Sequence, residues 1–142
     1  MPHISATKVG TVGGADIYRP IVIVRIEAGT GAIEGPALVD SGADGTLVPA
    51  DILVPLGIDF SKLKKGVGGI GVGGGLETRL CKGRILYGKT VICEPTFTVA
   101  EPGKLKSVLL GRSDFFTKFV TRFQWHKIPP AFDVDPVVPK KK

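Results

Sequence analysis

A glycine-rich stretch, KKGVGGIGVGGGLETRL at 64–80, constrains the fold of this chain more than any other feature. It contains seven of the 20 glycines and matches the pattern G-x-G-x-x-G twice, from Gly66 and from Gly69. That pattern binds a dinucleotide only between a buried strand and a helix, because the helix N-terminus receives the phosphates. Here the preceding FSKLKK is polar, and the following LETRLCKGRILYG alternates like a strand. The context therefore favours the tip of a β-hairpin, where glycine tolerates positive φ.

The remaining sequence also indicates short strands. Residues 17–26 are rich in β-branched side chains, and a turn at AGTG leads to a second strand through residues 37–39. Residues 76–100 indicate two further strands, and SVLLG at 107–111 is typical of a strand buried on both faces. A short C-terminal helix is predicted from Ser113 or Asp114, with the apolar face Phe115, Phe116, Phe119, Val120 and Phe123. The predicted class is all-β with this one short helix.

Length and charge exclude several other classes of protein. The 142 residues correspond to one domain. The net charge is +6, but the basic residues are scattered and no aromatic residues alternate with them, so we expect no nucleic-acid partner. We expect no membrane association, because the N-terminus lacks a signal pattern and nowhere do 18 apolar residues run together. A cytoplasmic location is the expectation.

Few residues could hold a metal or a cofactor, and we expect neither. His3 and His126 are far apart in the sequence and have no obvious acidic partner. Cys81 and Cys93 are too few for a disulfide framework and wrongly spaced for a zinc site. A cross-strand disulfide between them is one possibility, and two reduced, buried thiols are the favoured alternative.

An aspartate at the end of an apolar strand is the candidate catalytic group. In ALVDSGADGTLVP, residues 37–39 lead into Asp40, which opens a turn of small residues. Such a turn can hold a partly buried carboxylate in a fixed position. Taken alone, Asp-Ser-Gly is also an ordinary turn sequence, because aspartate and glycine both favour turns.

Three segments in order make this chain resemble the retroviral-type (retropepsin-like) aspartic proteases from about Ile17 to Phe123. The family motif of two apolar residues followed by Asp-Ser/Thr-Gly-Ala is matched at 38–43. The later motif of two apolar residues followed by Gly-Arg is matched at 109–112, and the family's flap, a hairpin over bound peptide, is matched at 65–75. The resemblance implies a closed β-barrel-like acid protease fold.

The resemblance also implies a homodimeric endopeptidase. The chain has one Asp-Ser-Gly, so the paired carboxylates would be Asp40 of two subunits, and residues 124–142 would form a C-terminal interface segment and a basic tail. The implied partners are therefore a second copy and a peptide or protein substrate. The implied active-site loop residues are Ser41, Gly42, Ala43, Asp44 and Arg112. The implied flap residues are Gly68, Gly69, Ile70 and Gly71.

Three further points concern the site and its function. The same motifs would also suit a non-catalytic dimeric module that binds peptides or joins two partners, although such a module has no chemical need for an intact Asp-Ser-Gly-Ala. The walls of the peptide pockets are predicted to be aliphatic, from Val48, Ile70, Val72 and Leu109. Gly45 stands where the retroviral enzymes often carry a second acidic residue.

Overall fold

The structure is a computed structural model, and it describes residues 3–65 and 76–137. Thirteen strands are found in these residues: β1 (His3–Ser5), β2 (Thr7–Val12), β3 (Ala15–Arg19), β4 (Ile21–Ala28), β5 (Gly31–Val39), β6 (Leu47–Pro49), β7 (Lys64–Lys65), β8 (Thr78–Tyr87), β9 (Thr90–Cys93), β10 (Thr96–Ala100), β11 (Val108–Leu110), β12 (Phe119–Gln124) and β13 (Ala131–Pro136). The α-helix α1 (Ala50–Leu53) and the 3-10 turns Val54–Leu56 and Phe60–Lys62 follow β6.

Six of the strands form a hydrogen-bonded ring. The order is β10-β6-β11-β5-β4-β8, and β8 pairs with β10 to close it. Two of these contacts, β5 with β11 and β6 with β10, are parallel, and the other contacts are antiparallel. The predicted all-β, barrel-like architecture is confirmed.

The β4–β5 hairpin follows from its sequence pattern. Val22, Val24 and Ile26 alternate with more exposed residues and are buried in the core, as a strand with one buried face requires. Gly29 has φ +59°, which suits the turn between the strands. The hairpin predicted for this region is therefore present, with β5 beginning at Gly31 directly after the turn.

A second, three-stranded sheet has the order β1-β13-β12 and brings residues near the two ends of the chain together. A separate hairpin is formed by β2 and β3. The strand β12 lies at an edge, because its partner among the described residues is β13 alone.

The position predicted for the helix is wrong. Residues 112–118 form turns. The α-helix of the described chain is α1, within VPADILVP, where the sequence also indicates a short helix-like piece bounded by Pro49 and Pro55. The N–H groups of Phe115 and Phe119 donate to carbonyls four residues earlier, but from Phe119 onwards the backbone pairs with β13. Phe115 and Phe119 are buried as predicted, whereas Val120 and Phe123 are exposed. Val120 is exposed because successive side chains of a strand point to opposite faces, while Phe123 shares the face of Phe119 but remains 45% exposed.

The two cysteines are free and buried. Cys81 lies opposite Phe97 on β10, and Cys93 lies opposite Ile85 on β8, so the two thiols do not face each other. The structure thus shows the two buried thiols and not the cross-strand disulfide.

Within the described ranges, no helix is long and apolar enough to cross a membrane.

Candidate active site

Asp40 directly follows β5, at the point where β5 runs parallel to β11. Leu38 pairs with Leu109 in this contact, and the Asp40 N–H donates to the Leu110 carbonyl at 3.0 Å. Because the two strands are parallel, the residues that leave their C-terminal ends lie side by side. The pairing therefore brings Asp40 and the Gly111-Arg112 segment together from positions some seventy residues apart in the sequence.

The Asp40 carboxylate closes a tight turn. The Gly42 N–H donates to Asp40 Oδ1 at 2.9 Å, and the Ala43 N–H donates to the Asp40 carbonyl at 3.2 Å. Asp40 is half-buried, and the described residues offer its carboxylate no other hydrogen bond. A Cβ on Gly42 would lie 3.2 Å from Oδ1, tighter than ordinary contact. Among the described residues, the turn thus holds one carboxylate oxygen, and the other accepts no hydrogen bond.

Backbone hydrogen bonds join the Asp40 turn to the segment after β11. The Arg112 N–H donates to the Ala43 carbonyl at 3.0 Å, and the Ser113 N–H donates to the Asp44 carbonyl at 2.9 Å. Since each loop holds the other, the position of Asp40 depends on both sequence motifs.

A second set of contacts comes from residues that the sequence analysis did not assign to the site. The Thr46 N–H donates to Asp114 Oδ2 at 2.8 Å, and the Gly111 N–H donates to Thr46 Oγ1 at 3.3 Å. Thr46 is buried, with 3% of its surface exposed. Thr46 lies shortly after Asp-Ser-Gly, and Asp114 lies shortly after Gly-Arg. Their polar character and their closeness to the two motifs are the sequence features that could have assigned them to the site.

The fold matches solved structures of one family. The EIAV protease complexed with the inhibitor HBY-793 is 26% identical over 67% of this chain and 83% of its own, with a TM-score of 0.51. A retropepsin-like aspartic protease from Rickettsia conorii is 16% identical over 94% of this chain and 89% of its own, with a TM-score of 0.54. The chain has the fold of the retropepsin-like aspartic proteases.

Comparisons of sequence alone give no further relative. No model of a protein family matches the chain, and no curated protein matches it. The similarity to retropepsin-like structures supports a peptide hydrolase.

Asp44 and Arg112, two of the implied active-site loop residues, form an ion pair on the surface. Asp44 Oδ1 contacts the Arg112 guanidinium, and the two side chains are 58% and 57% exposed. Water and salt screen a pair this exposed, so it adds little to stability. Its carboxylate and guanidinium are accessible beside the Asp40 turn.

A cavity of about 300 Å³ is lined by Thr46, Asp114, Cys93 and Lys118 among others. The Lys118 ammonium donates to the Val91 and Ile92 carbonyls at 2.9 Å each. Burial, with a smaller contribution from the nearby Asp114 charge, raises the pKa of the Cys93 thiol to about 12. Cys93 is therefore a neutral thiol at physiological pH and a poor nucleophile.

The implied flap residues Gly68, Gly69, Ile70 and Gly71 lie outside the described residues. On either side of them, β7 and β8 pair antiparallel, with Lys64 opposite Leu80. The segment after the glycines is thus a strand and not a helix, which removes the context that a dinucleotide-binding loop requires.

The residues predicted to form pocket walls differ in exposure. Val48 is completely buried in the core, so it is not available to a substrate and that prediction is wrong. Leu109 is half-buried beside the site, and Ile70 and Val72 lie outside the described residues.

In the part of the chain that the structure describes, no group of three or more His, Cys, Asp or Glu residues could hold a metal ion.

Proposed function

We propose that the chain is an aspartic endopeptidase whose active site forms between two copies, each providing Asp40. The observation that carries the proposal is the Asp40 turn itself: Asp40 is half-buried, one carboxylate oxygen accepts the Gly42 N–H, and backbone hydrogen bonds join the turn to the segment after β11. The similarity to retropepsin-like proteases supports it. One Asp-Ser-Gly per chain supports the two-copy arrangement.

The chemistry requires two carboxylates, because two adjacent carboxyl groups share one proton. The ionised Asp40 takes a proton from water as the water oxygen bonds to the peptide carbonyl carbon. The protonated Asp40 gives its proton to the carbonyl oxygen, forming a tetrahedral diol. As the C–N bond then breaks, the nitrogen takes the proton held by the first carboxyl group, and a diol proton restores the second.

Other residues have proposed roles in binding and support. Ser41 would hydrogen-bond across the two-fold axis, and the small Gly42 would leave room for the peptide backbone. Asp44, accessible beside the turn, would contact the substrate main chain, and Arg112 would orient it. The flap residues 68–71 would cover the peptide and exclude water.

The C-terminal segment is the proposed place where the two copies meet. On and after the edge strand β12, the apolar side chains of Val120, Phe123 and Trp125 are exposed. Exposed apolar side chains and unpaired strand edges favour association with another surface. These features support residues 124–142 as part of the interface, with β12 continuing it.

The test compares Asp40→Asn and Asp40→Ala with Asp16→Asn, a control in the β2–β3 hairpin whose carboxylate forms an exposed ion pair with Lys8. A peptide library digested with each protein is read by mass spectrometry across pH. The wild type and Asp16→Asn should give the same cleavages, and both Asp40 variants should give none while sedimenting like the wild type. Undiminished cleavage by Asp40→Ala would overturn the assignment. Specific binding of peptides by the wild type without cleavage would favour the non-catalytic dimeric module.

A further inference from the structure

Hydrogen bonds link the Asp114 carboxylate to Asp40 through Thr46 and Gly111. Its carboxylate Oδ2 accepts the Thr46 N–H at 2.8 Å, a hydrogen bond between residues 68 positions apart in the sequence. A hydrogen bond to an ionised acceptor is stronger than one between neutral groups. The carboxylate thus fixes the chain at the point where the Asp40 turn leads into β6.

The Thr46 hydroxyl group makes the second hydrogen bond of this network. Its Oγ1 accepts the Gly111 N–H at 3.3 Å, in buried surroundings. Gly111 follows Leu110, whose carbonyl accepts the Asp40 N–H at 3.0 Å. Three hydrogen bonds therefore connect the Asp114 carboxylate to the backbone of Asp40.

A cavity adjoins this network. Asp114 and Thr46 line the cavity of about 300 Å³ together with Cys93 and Lys118. The Lys118 ammonium is directed to the Val91 and Ile92 carbonyls. Because the cavity adjoins both Asp114 and Thr46, loss of the carboxylate would leave space into which the Thr46 segment can move.

We propose that Asp114 is a positioning residue for Asp40, acting through Thr46, in the peptide hydrolysis proposed above. Without the carboxylate the Thr46 N–H, in a buried residue, has no acceptor, and the chain shifts to find one. A shift of about 1 Å in a reacting group can reduce turnover by about 100-fold. Asp114 itself does not touch the reacting atoms.

The test uses Asp114→Ala, which removes the acceptor, and Asp114→Asn, whose amide oxygen can still accept the Thr46 N–H. The matched control is Asp51→Ala, which removes a carboxylate that accepts the Gly103 N–H at 3.0 Å. For each protein, kcat, KM, melting temperature and amide hydrogen exchange are measured. A second route, Thr46→Val, removes the hydroxyl that accepts the Gly111 N–H and preserves side-chain volume, should Asp114→Ala fail to fold.

We expect Asp114→Ala to lose about 10- to 100-fold in kcat with a much smaller change in KM, because turnover depends on the position of Asp40. Amide exchange should accelerate at residues 40–46. Asp114→Asn should recover most of kcat, and Asp51→Ala should keep it. The proposal fails if Asp114→Ala keeps the wild-type kcat, or loses activity only in proportion to its melting temperature, as a purely structural contact would.

The inference depends on the proposed function, and the two can fail separately. A wild type without any peptidase activity would overturn the proposed function. The positioning role would then be decided by amide exchange alone: faster exchange at residues 40–46 in Asp114→Ala but not in Asp51→Ala supports it, and unchanged exchange overturns it.

Discussion

Gly111 packs directly against the backbone of Gly45. A Cβ on Gly111 would lie 2.4 Å from the Gly45 carbonyl carbon and oxygen, closer than real Cβ atoms approach. The contact places the segment after β11 on the end of the Asp40 turn, next to the hydrogen bonds that Arg112 and Ser113 donate. Glycine is needed at position 111 because there is no space for a Cβ. Backbone conformation is not the reason, since the φ of Gly111 is not in the left-handed region.

Gly111→Ala should therefore destabilise the fold and disturb the site together. We expect a loss of about 1–3 kcal/mol in the free energy of unfolding, since the added methyl group forces the two loops apart. Gly35→Ala is the matched control, because a Cβ there meets no atom within 4 Å. Urea unfolding of both variants gives the comparison, and equal losses would contradict the close contact.

Arg112→Ala should have little effect on stability. The ion pair with Asp44 is exposed on both sides, and such pairs contribute about 0–1 kcal/mol. Arg79→Ala is an informative contrast, because the Arg79 guanidinium is mostly buried and donates to the Phe60, Ser61 and Leu63 carbonyls. Thermal unfolding should show the larger loss for Arg79→Ala. The opposite order would mean that the surface pair is more important than its exposure indicates.

Activity should depend on protein concentration. If each chain supplies one Asp40, dilution below the dimer dissociation constant removes the paired carboxylates while each chain stays folded. Specific activity and sedimentation are measured over the same dilution series, and both should change at the same concentration. An active, stable monomer would refute the two-copy arrangement.

Stability should fall at alkaline pH partly because of Cys93. Its pKa is raised from 9.0 to about 12 on folding, so between these values the unfolded chain releases a proton that the folded chain retains. The contribution is complete below pH 9 and is lost as pH rises towards 12, with a slope of up to about 1.4 kcal/mol per pH unit. Urea unfolding of the wild type and Cys93→Ala from pH 8 to 11 should show a shallower decline for the variant. Parallel curves would show that this thiol does not titrate as proposed.

Gly69→Val tests the proposed flap. A branched side chain at this position should hinder closure over a peptide, so hydrolysis should fall strongly. Stability should change by less than about 1 kcal/mol, as for a surface substitution. The control is Gly10→Val, in β2, where a Cβ meets no atom within 4 Å. Melting temperature and hydrolysis are measured on the same samples, and unchanged hydrolysis would remove the flap from the proposal.

Local patterns in the sequence were sufficient for the β class and for the candidate carboxylate. The alternation of Val22, Val24 and Ile26 with exposed residues requires only neighbouring positions, so the strand could be predicted without knowing its partners. Asp40 could be singled out because three contiguous segments occur in the order found in retropepsin-like proteases, whereas Asp-Ser-Gly alone is an ordinary turn sequence. The same local reasoning failed after Asp114, where the spacing of the phenylalanines fits a helix but pairing with β13 draws the chain into a strand.

The surroundings of Asp40 were decided by tertiary structure. Thr46 and Asp114 are 68 residues apart, and nothing local in either segment indicates that one holds the other. They meet because β5 and β11 pair in parallel, which places the ends of two distant segments side by side. The burial of Val48 has the same origin, since β6 pairs with both β10 and β11 and Val48 packs in the core, and its own sequence does not show these neighbours.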